Sequence, residues 1–263
     1  MDPAAEQETA PVAVTLYLIR HGETEVNRLN CVQGKRIDPP LNERGRRQAE
    51  CVGERFRDQR VDWIVTSAAR RAIETGAAIG RHHPHAPRDI HAELNELEFG
   101  SLEGTHVTAG YNDLVARWDN DHCANLPAPS GESPALCARR AMPRLQAVVE
   151  QAVADGRRAV CLAVHSRLIQ ILLAQILDGS LATMRKYKQK KAAVNVVDVY
   201  ADPAAAGPWP FRFAAREINS TAHMPDDVVS RVSSATSLSS RSSQNCQIRF
   251  EIDGDGSLVM RLL

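Results

Sequence analysis

Short apolar runs alternate with amphipathic stretches along most of the chain. Four of the runs have the length and composition of buried β-strands. They cover residues 12–19, 61–66, 89–94 and 158–164. The amphipathic stretches repeat apolar side chains at spacings of three and four, which predicts helices. These stretches cover residues 42–59, 69–81, 133–154 and 167–177. The alternation predicts an α/β fold, a three-layer α/β/α sandwich with a mostly parallel central sheet.

Residues 103–131 depart from this pattern, with weak periodicity and one amphipathic piece, and we interpret them as an inserted cap. Two further strands are expected at residues 193–200 and 211–218. Residues 230–243 are rich in serine and too poor in large apolar side chains to offset their ordering entropy, which predicts a flexible linker. The predicted organisation is a flexible N-terminus (1–12), a domain (13–227) with the cap at 103–132, the linker (228–245) and a hairpin-like tail (246–263).

The charge balance narrows the class of partner. Lysine plus arginine and aspartate plus glutamate both number 32, so neither nucleic acid nor an anionic membrane is an expected partner. The most apolar long stretch, residues 168–177, is shorter than the about 20 residues that a membrane helix needs. The six cysteines form no CxxC pair, which indicates free thiols in a reducing compartment. With an acidic N-terminal segment unlike a targeting peptide, we expect a cytoplasmic protein, and the sequence leaves a homo-oligomer open.

Charged side chains and imidazoles follow the predicted strands where the strands end. Arg20 and His21 directly follow the first strand, and His165 follows the fourth. Arg71 stands in the first turn of the helix behind the second strand, and Glu96 lies just beyond the third. Because ligands gather at the carboxyl ends of strands in open α/β sheets, we expect these side chains to meet at one edge.

These motifs, in their order along the chain, resemble those of the histidine phosphatase superfamily, also called the phosphoglycerate mutase-like family. The resemblance covers most of the predicted domain and implies the fold of that family. It implies that His21 is the catalytic nucleophile, which becomes phosphorylated, and that Glu96 donates and accepts the proton. Arg20, Arg71 and His165 would bind the phosphoryl group.

The same resemblance assigns substrate contacts to four further positions. Asn27 stands six residues after His21, at the family's phosphate-contacting position. Gln33 and Gly34 match its first-loop pattern. Ser166 takes the place where relatives often have glycine, so a side chain borders the site while the backbone amide can still reach phosphate.

Phosphoryl transfer asks a protein to position the group and to stabilise charge spread over its oxygens, which the planar guanidinium does well. Two arginines and a protonated His165 would supply the charge that a metal supplies elsewhere. No residue cluster has metal-ligand spacing, so we predict neither a metal nor a cofactor. Residues 131–133, with Arg140 after them, are similar to a helix start of the phosphatase branch.

The predicted function is therefore a metal-independent phosphomonoester hydrolase that acts on a small phosphorylated metabolite or sugar phosphate through a phosphohistidine. One alternative is a phosphoglycerate mutase. Another is a non-catalytic binding or scaffold protein of the same fold.

Two assignments have competitors nearby in the sequence. Arg70 also stands at the helix start and competes with Arg71 for the phosphate contact, although the spacing to neighbouring motif residues favours Arg71. Glu98 and Glu103 are alternative carboxylates to Glu96, and each is predicted to be structural or solvated.

Other polar residues carry weaker signals. Arg167 either adds recognition of substrate charge or covers the surface. The histidine tract at residues 82–85 precedes prolines and predicts an exposed turn. His223 is predicted to be a structural hydrogen-bonding group. The Asp-Gly repeat at residues 253–256 lacks the remaining features of a calcium loop and predicts a turn.

Overall fold

A twisted central sheet organises the fold. The structure, a computed structural model, describes residues 11–202, 209–229, 248–252 and 258–262. The strands of the sheet are β1 (Val12–Arg20), β2 (Trp63–Ser67), β3 (Arg88–His91), β4 (Ala159–Val164), β5 (Val194–Ala201) and β6 (Phe211–Ser220). The α-helices are α1 (Glu25–Arg28), α2 (Glu43–Phe56), α3 (Arg70–His82), α4 (Ala109–Asp119), α5 (Pro134–Ala154) and α6 (Ser166–Asp178). Short 3₁₀ helices span Ala92–Leu94, Gly100–Leu102 and Leu181–Tyr187.

The strand order is β3-β2-β4-β1-β5-β6. β1 pairs in parallel with β4, and β2 pairs in parallel with both β4 and β3. β5 runs antiparallel to β1 and to β6. Parallel neighbours need crossover connections, which the helices supply. Four neighbouring strands are therefore parallel, and their carboxyl ends lie at one edge of the sheet.

Helices cover both faces of this sheet. On one face, Val52 and Phe56 of α2 and Ile79 of α3 pack with Ile19 and Ile64 of the sheet. The other face packs against α5 and α6, whose fully buried side chains include Leu145, Val149, Leu168 and Leu172. Each such side chain contributes about 1.5–3 kcal/mol when it leaves water. The predicted α/β/α sandwich with a mostly parallel sheet is confirmed.

Polar side chains fix the starts of two predicted helices. The side chain of Asn42 accepts a hydrogen bond from the Gly45 N–H at 2.8 Å, and the Ser133 hydroxyl accepts one from the Leu136 N–H at 3.1 Å. A cap of this kind stabilises a helix by about 1 kcal/mol, because it satisfies a donor that the helix itself cannot. Asn42, the first residue of the predicted helical stretch 42–59, is thus the residue that caps α2.

The third strand is shorter than predicted. β3 ends at His91, and a 3₁₀ turn replaces the rest of the predicted run at residues 89–94. The reason lies in its partner: β3 pairs only with β2, and the last pair, Ser67 with His91, is where β2 ends. Without a neighbour to accept and donate hydrogen bonds, the chain turns and brings Glu96 back toward the sheet.

Several predictions about the termini fall outside the described residues. These are the flexible N-terminus through residue 10, most of the linker, and the Asp-Gly turn at residues 253–256. On either side of that turn, the strands β7 (Ile248–Ile252) and β8 (Leu258–Leu262) pair antiparallel with each other. No helix in the described ranges is long and apolar enough to cross a membrane.

Candidate active site

Two histidines meet at the centre of the sheet because of strand register. Arg20, the last residue of β1, lies opposite Val164, the last residue of β4. The residues that follow these two strands, His21 and His165, are therefore neighbours. Their ring centroids are 5.3 Å apart and the interplanar angle is 60°. The expected meeting of the two imidazoles is what the parallel pairing produces.

A backbone carbonyl fixes the tautomer of His21. Its Nδ1 lies 2.7 Å from the carbonyl oxygen of Gly22. A carbonyl oxygen can only accept, so Nδ1 must carry the hydrogen and Nε2 must carry the lone pair. Burial, followed by the positive charges of Arg71 and Arg20, lowers the pKa of His21 well below 6.5. The ring is therefore neutral near pH 7, with a nucleophilic nitrogen available.

Arg71 is held by the main chain of an adjacent loop. Its Nη2 donates to the Gly34 carbonyl at 3.1 Å and its Nη1 to the Ile37 carbonyl at 3.0 Å. Its side chain is only 1% exposed, and its Nε has no acceptor among the described residues. The competing Arg70 is 64% exposed and pairs with Glu74. The structure therefore places Arg71, and not Arg70, against the histidines.

Arg20 lines the cavity together with His21. Its Nη1 donates to the Gln189 carbonyl at 2.7 Å, and its buried Nε has no acceptor in the described ranges. Burial lowers the pKa of this guanidinium, while the charge of Glu96 opposes the shift. Guanidinium groups keep their charge at any working pH, so the fixed positive charges of Arg20 and Arg71 both act on His21.

His165 differs from the prediction in its charge. Burial, then the charge of Arg71 and the ring of His21, lowers its pKa well below 6.5. The imidazole is therefore neutral near pH 7, and the prediction of a protonated His165 is wrong for the protein by itself. Its Nε2 lies 2.7 Å from the Ser67 hydroxyl, while its buried Nδ1 has no partner among the described residues.

The carboxylate of Glu96 lies at the start of α6. Its Oε2 accepts from the Arg167 N–H at 3.1 Å, and its Oε1 accepts from the Leu168 N–H at 3.0 Å. The Leu97 N–H also donates to Oε1, at 2.9 Å. The first amides of a helix lack intrahelical acceptors and favour an anion. Glu96 is thus oriented by backbone groups, with Oε2 carrying fewer of these bonds.

Arg140 supports Glu96 in a way that the sequence did not reveal. Its guanidinium donates to the carbonyls of Glu93, Asn95 and Glu96 at 2.7, 2.9 and 2.9 Å. It also makes two 2.8 Å bonds to the carboxylate of Glu132. These contacts engage all three nitrogens of the guanidinium. Sequence motifs flagged Glu132 and Arg140 only as a helix start, because carbonyl contacts leave no pattern in side-chain identity.

The two alternative carboxylates lie away from His21 and stabilise the loop that holds Arg71. Oε2 of Glu103 accepts from the N–H groups of Arg36 and Ile37 at 2.9 and 3.2 Å. Glu98 pairs with the guanidinium of Arg36. Their predicted structural role agrees with these contacts, and Glu96 remains the carboxylate beside the histidines.

A cavity of about 300 Å³ opens over His21. It is lined by Arg20, His21, Asn27, Asn30, Cys31, Val32, Gln33, Glu96, Phe99, Val107, Tyr111, Ser166, Arg167, Gln170 and Lys191. The predicted contacts Asn27, Gln33 and Ser166 are among these residues. The Gln33 side-chain oxygen accepts from the Asn27 amide at 2.9 Å, which leaves the buried Gln33 Nε2 without an acceptor in the described part of the chain.

Gly34, a predicted substrate contact, is not among the residues that line the cavity. A Cβ at this position would lie 2.4 Å from the Glu103 carboxylate and 2.7 Å from the Leu97 carbonyl. The position requires glycine because the loop passes so close to residues 97 and 103, and the Gly34 carbonyl accepts a hydrogen bond from Arg71.

The remaining histidines lie outside this site. His83 contacts the Phe56 carbonyl at 2.7 Å, and His82 lies 3.4 Å from Glu54. His223, predicted to be a structural hydrogen-bonding group, forms a hydrogen bond with the Ala192 backbone, in agreement with that prediction. Burial lowers the pKa of His223 to about 4, so the ring is neutral near pH 7.

Comparisons with known proteins agree with this geometry. A family model described as histidine phosphatase superfamily (branch 1) matches residues 16–209. A 2,3-bisphosphoglycerate-dependent phosphoglycerate mutase from Methylobacterium sp. (strain 4-46) is 33% identical over 62% of this chain and 80% of its own length. A glucosyl-3-phosphoglycerate phosphatase from Mycolicibacterium vanbaalenii is 33% identical over 62% of this chain and 73% of its own length.

Solved structures show the same fold. The complex of a mycobacterial glucosyl-3-phosphoglycerate phosphatase with inorganic phosphate is 25% identical, with a TM-score of 0.64 over 81% of this chain and all of that chain. The similar proteins therefore include both phosphatases and mutases.

Proposed function

The chain belongs to the histidine phosphatase superfamily, and we propose on that premise that it is a metal-independent phosphomonoester hydrolase working through a phosphohistidine at His21. The observation that carries the proposal is the state of His21. The ring is neutral, Nδ1 donates a hydrogen bond to the Gly22 carbonyl, and the charges of the buried Arg71 and Arg20 guanidinium groups act on the imidazole. A nucleophile, its orienting group and fixed positive charge are the elements that phosphoryl transfer to a side chain needs.

The first step forms the phosphoenzyme. The lone pair of His21 Nε2 attacks phosphorus, and the bond between phosphorus and the ester oxygen breaks. Glu96 in its protonated form gives its proton to the departing alkoxide, so the alcohol leaves neutral. Arg20 and Arg71 stabilise the charge on the phosphoryl oxygens through nitrogens that have no acceptor in the described ranges.

The second step releases phosphate. The Glu96 carboxylate takes a proton from water as the water oxygen attacks phosphorus. The bond from phosphorus to Nε2 breaks, and its electron pair returns to the imidazole. Glu96 is then protonated again and ready for the next ester. The charge that a metal ion would supply comes from Arg20 and Arg71.

The size of the cavity and the names of the relatives support a small substrate. A cavity of about 300 Å³ is at the lower end for small-molecule sites. One relative is a glucosyl-3-phosphoglycerate phosphatase, which supports a sugar phosphate or another small phosphorylated metabolite. A mutase is the second candidate, because a phosphoglycerate mutase shares 33% identity with this chain, the same value as the phosphatase. In that case the phosphoryl group on His21 would pass to an alcohol instead of water.

The test is hydrolysis of para-nitrophenyl phosphate in excess chelator by the full chain. We expect phosphate release, trapping of an acid-labile phosphoryl group on His21, and loss of both in His21→Ala. His85→Ala, at an exposed histidine outside the site, is the matched control. A requirement for added divalent metal, or full activity in His21→Ala, would overturn the proposal. If the protein interconverts phosphoglycerates faster than it hydrolyses them, it is a mutase. If no variant turns over substrate and ligand binding is unchanged in all of them, it is a binding or scaffold protein.

A further inference from the structure

Arg167 is a buried cation in the wall of the cavity, and its main chain binds the Glu96 carboxylate. It is the second residue of α6, is 6% exposed and lines the cavity. Its backbone N–H donates to Oε2 of Glu96. This oxygen accepts one backbone hydrogen bond, whereas Oε1 accepts two, so Oε2 is the better placed oxygen for proton transfer. Because Glu96 delivers the proton to the ester oxygen, the side chain of Arg167 belongs to the half of the cavity that takes the alcohol. The structure thus excludes the prediction that Arg167 merely covers the surface.

The guanidinium is anchored by the cap. Its Nη1 donates to Oδ1 of Asp119 at 2.7 Å, and both side chains of this pair are buried. Its Cζ lies 5.6 Å from the ring centroid of Trp118, which is fully buried. Among the described residues, no acceptor bonds its Nε or Nη2. The cap therefore fixes the position of Arg167 through one nitrogen and leaves the others available to a ligand.

The surroundings of Arg167 are divided by polarity. Tyr111 and Gln170 line the cavity together with it, and its positive charge acts on the Tyr111 phenol, whose pKa burial raises. Val32, Phe99 and Val107 line the cavity as apolar side chains. A molecule with a carbon skeleton and a terminal anionic group matches this distribution.

We propose that Arg167 binds a second acidic group on the alcohol part of the substrate. The substrate class is then a phosphate ester whose alcohol also carries a carboxylate or another phosphate. The fork of a guanidinium matches either anion through two parallel N–H bonds. Asp119 tunes the site, since it holds Arg167 in place and partly offsets its charge. This proposal rests on the proposed phosphatase function.

The test compares two esters that differ by one acidic group, 3-phosphoglycerate and glycerol 3-phosphate. We expect the full chain to prefer the acid ester in kcat/KM by about 10- to 100-fold, the range that a hydrogen bond to a charged group gives. In Arg167→Gln this preference falls to near unity. In Asp119→Asn it rises, because the guanidinium loses its compensating charge. Arg117→Gln, at an exposed cap arginine, is the matched control and keeps the preference.

The opposite changes in preference expected for Arg167→Gln and Asp119→Asn distinguish a role in substrate recognition from a purely structural role. If Arg167→Gln leaves the preference intact, or if both variants shift it in the same direction, the pair is structural and the proposal fails. Arg167→Gln with Asp119→Asn keeps a neutral hydrogen-bonding pair, and guards against loss of folding in the single variants. Calorimetric binding of both esters to His21→Ala tests Arg167 without turnover. If His21→Ala binds the acid ester more tightly but the wild type hydrolyses neither ester, the proposed phosphatase function is refuted and the acid-binding role of Arg167 stands.

Discussion

Two parts of the candidate site are built by different means. The catalytic floor consists of Arg20 and His21, which line the cavity, and of Arg71 and His165, which are almost fully buried. The leaving-group wall contains Tyr111, Arg167 and Gln170, with apolar side chains around them. Main-chain carbonyls hold three of the floor residues. In the wall, Arg167 is held by the side chain of Asp119. Main-chain geometry is set by the sheet, whereas side-chain partners change with single substitutions. We conclude that the floor fixes the chemistry and the wall adjusts the substrate.

The largest expected effect concerns the floor. Arg71→Gln removes a fixed charge from the phosphoryl site, and we expect kcat/KM for para-nitrophenyl phosphate to fall by about 100- to 1000-fold. Arg70→Gln, one residue away and exposed, is the matched control, with a change below about threefold. Steady-state kinetics on both variants, with melting curves to show that they fold, provide the measurement. Equal losses of kcat/KM in Arg71→Gln and Arg70→Gln would mean that the buried position of Arg71 gives it no special role in phosphoryl transfer.

A second effect tests whether the support of Glu96 belongs with the floor. Arg140→Met removes the donors that hold the Glu93, Asn95 and Glu96 carbonyls. Displacing a catalytic group by about 1 Å can cost about 100-fold, and we expect a loss of that order in kcat. Arg144→Met is the control, because Arg144 lies one turn along α5 and, among the described residues, its hydrogen-bonded ion pair is with the Glu93 side chain.

The amount of phosphoenzyme distinguishes a misplaced Glu96 in Arg140→Met from a general loss of folded protein. An aryl phosphate has a good leaving group and needs little help from an acid, whereas hydrolysis of the phosphohistidine still needs Glu96 as a base. Arg140→Met should therefore accumulate acid-labile phosphate on His21 during turnover. A variant that loses activity without such accumulation contains less folded protein, and Arg140 would then lack the positioning role.

The contrast between floor and wall also explains what the sequence could predict. His21 and His165 follow apolar runs directly, so a strand pattern and one register place them together. Glu96 was found although its strand ends early, because the turn after β3 brings it to the same edge. The bond between Arg167 and Asp119 joins positions 48 residues apart, in a helix start and a cap without strong periodicity. Nothing in local composition specifies such a pairing, so the contacts of the wall could be identified only from the structure.

The third prediction concerns the charge state of the floor. Burial, together with positive charge from Arg71 and Arg20, lowers the pKa of His21, so the ring stays neutral as pH falls through 6.5 and loses nucleophilicity only at lower pH. In Arg71→Gln one of these charges is gone, and the pKa of His21 should rise. Nitrogen-15 chemical shifts of the imidazole, followed by titration in phosphate-free buffer, report this directly. Titration of wild-type His21 near 6.5 would show that the floor does not control its nucleophile.

The smallest effect is expected in the wall. Tyr111→Phe removes one hydroxyl and retains the ring, which packs 5.6 Å from Phe99 between centroids. We expect KM for a small phosphate ester to rise by about threefold with kcat unchanged, because a contact equal in ground and transition states changes only binding. Tyr200→Phe, where Arg212 stacks on the ring far along β5, is the matched control. A large fall in kcat would instead mean that the phenol shares proton transfer with Glu96, and the chemistry would then extend into the wall.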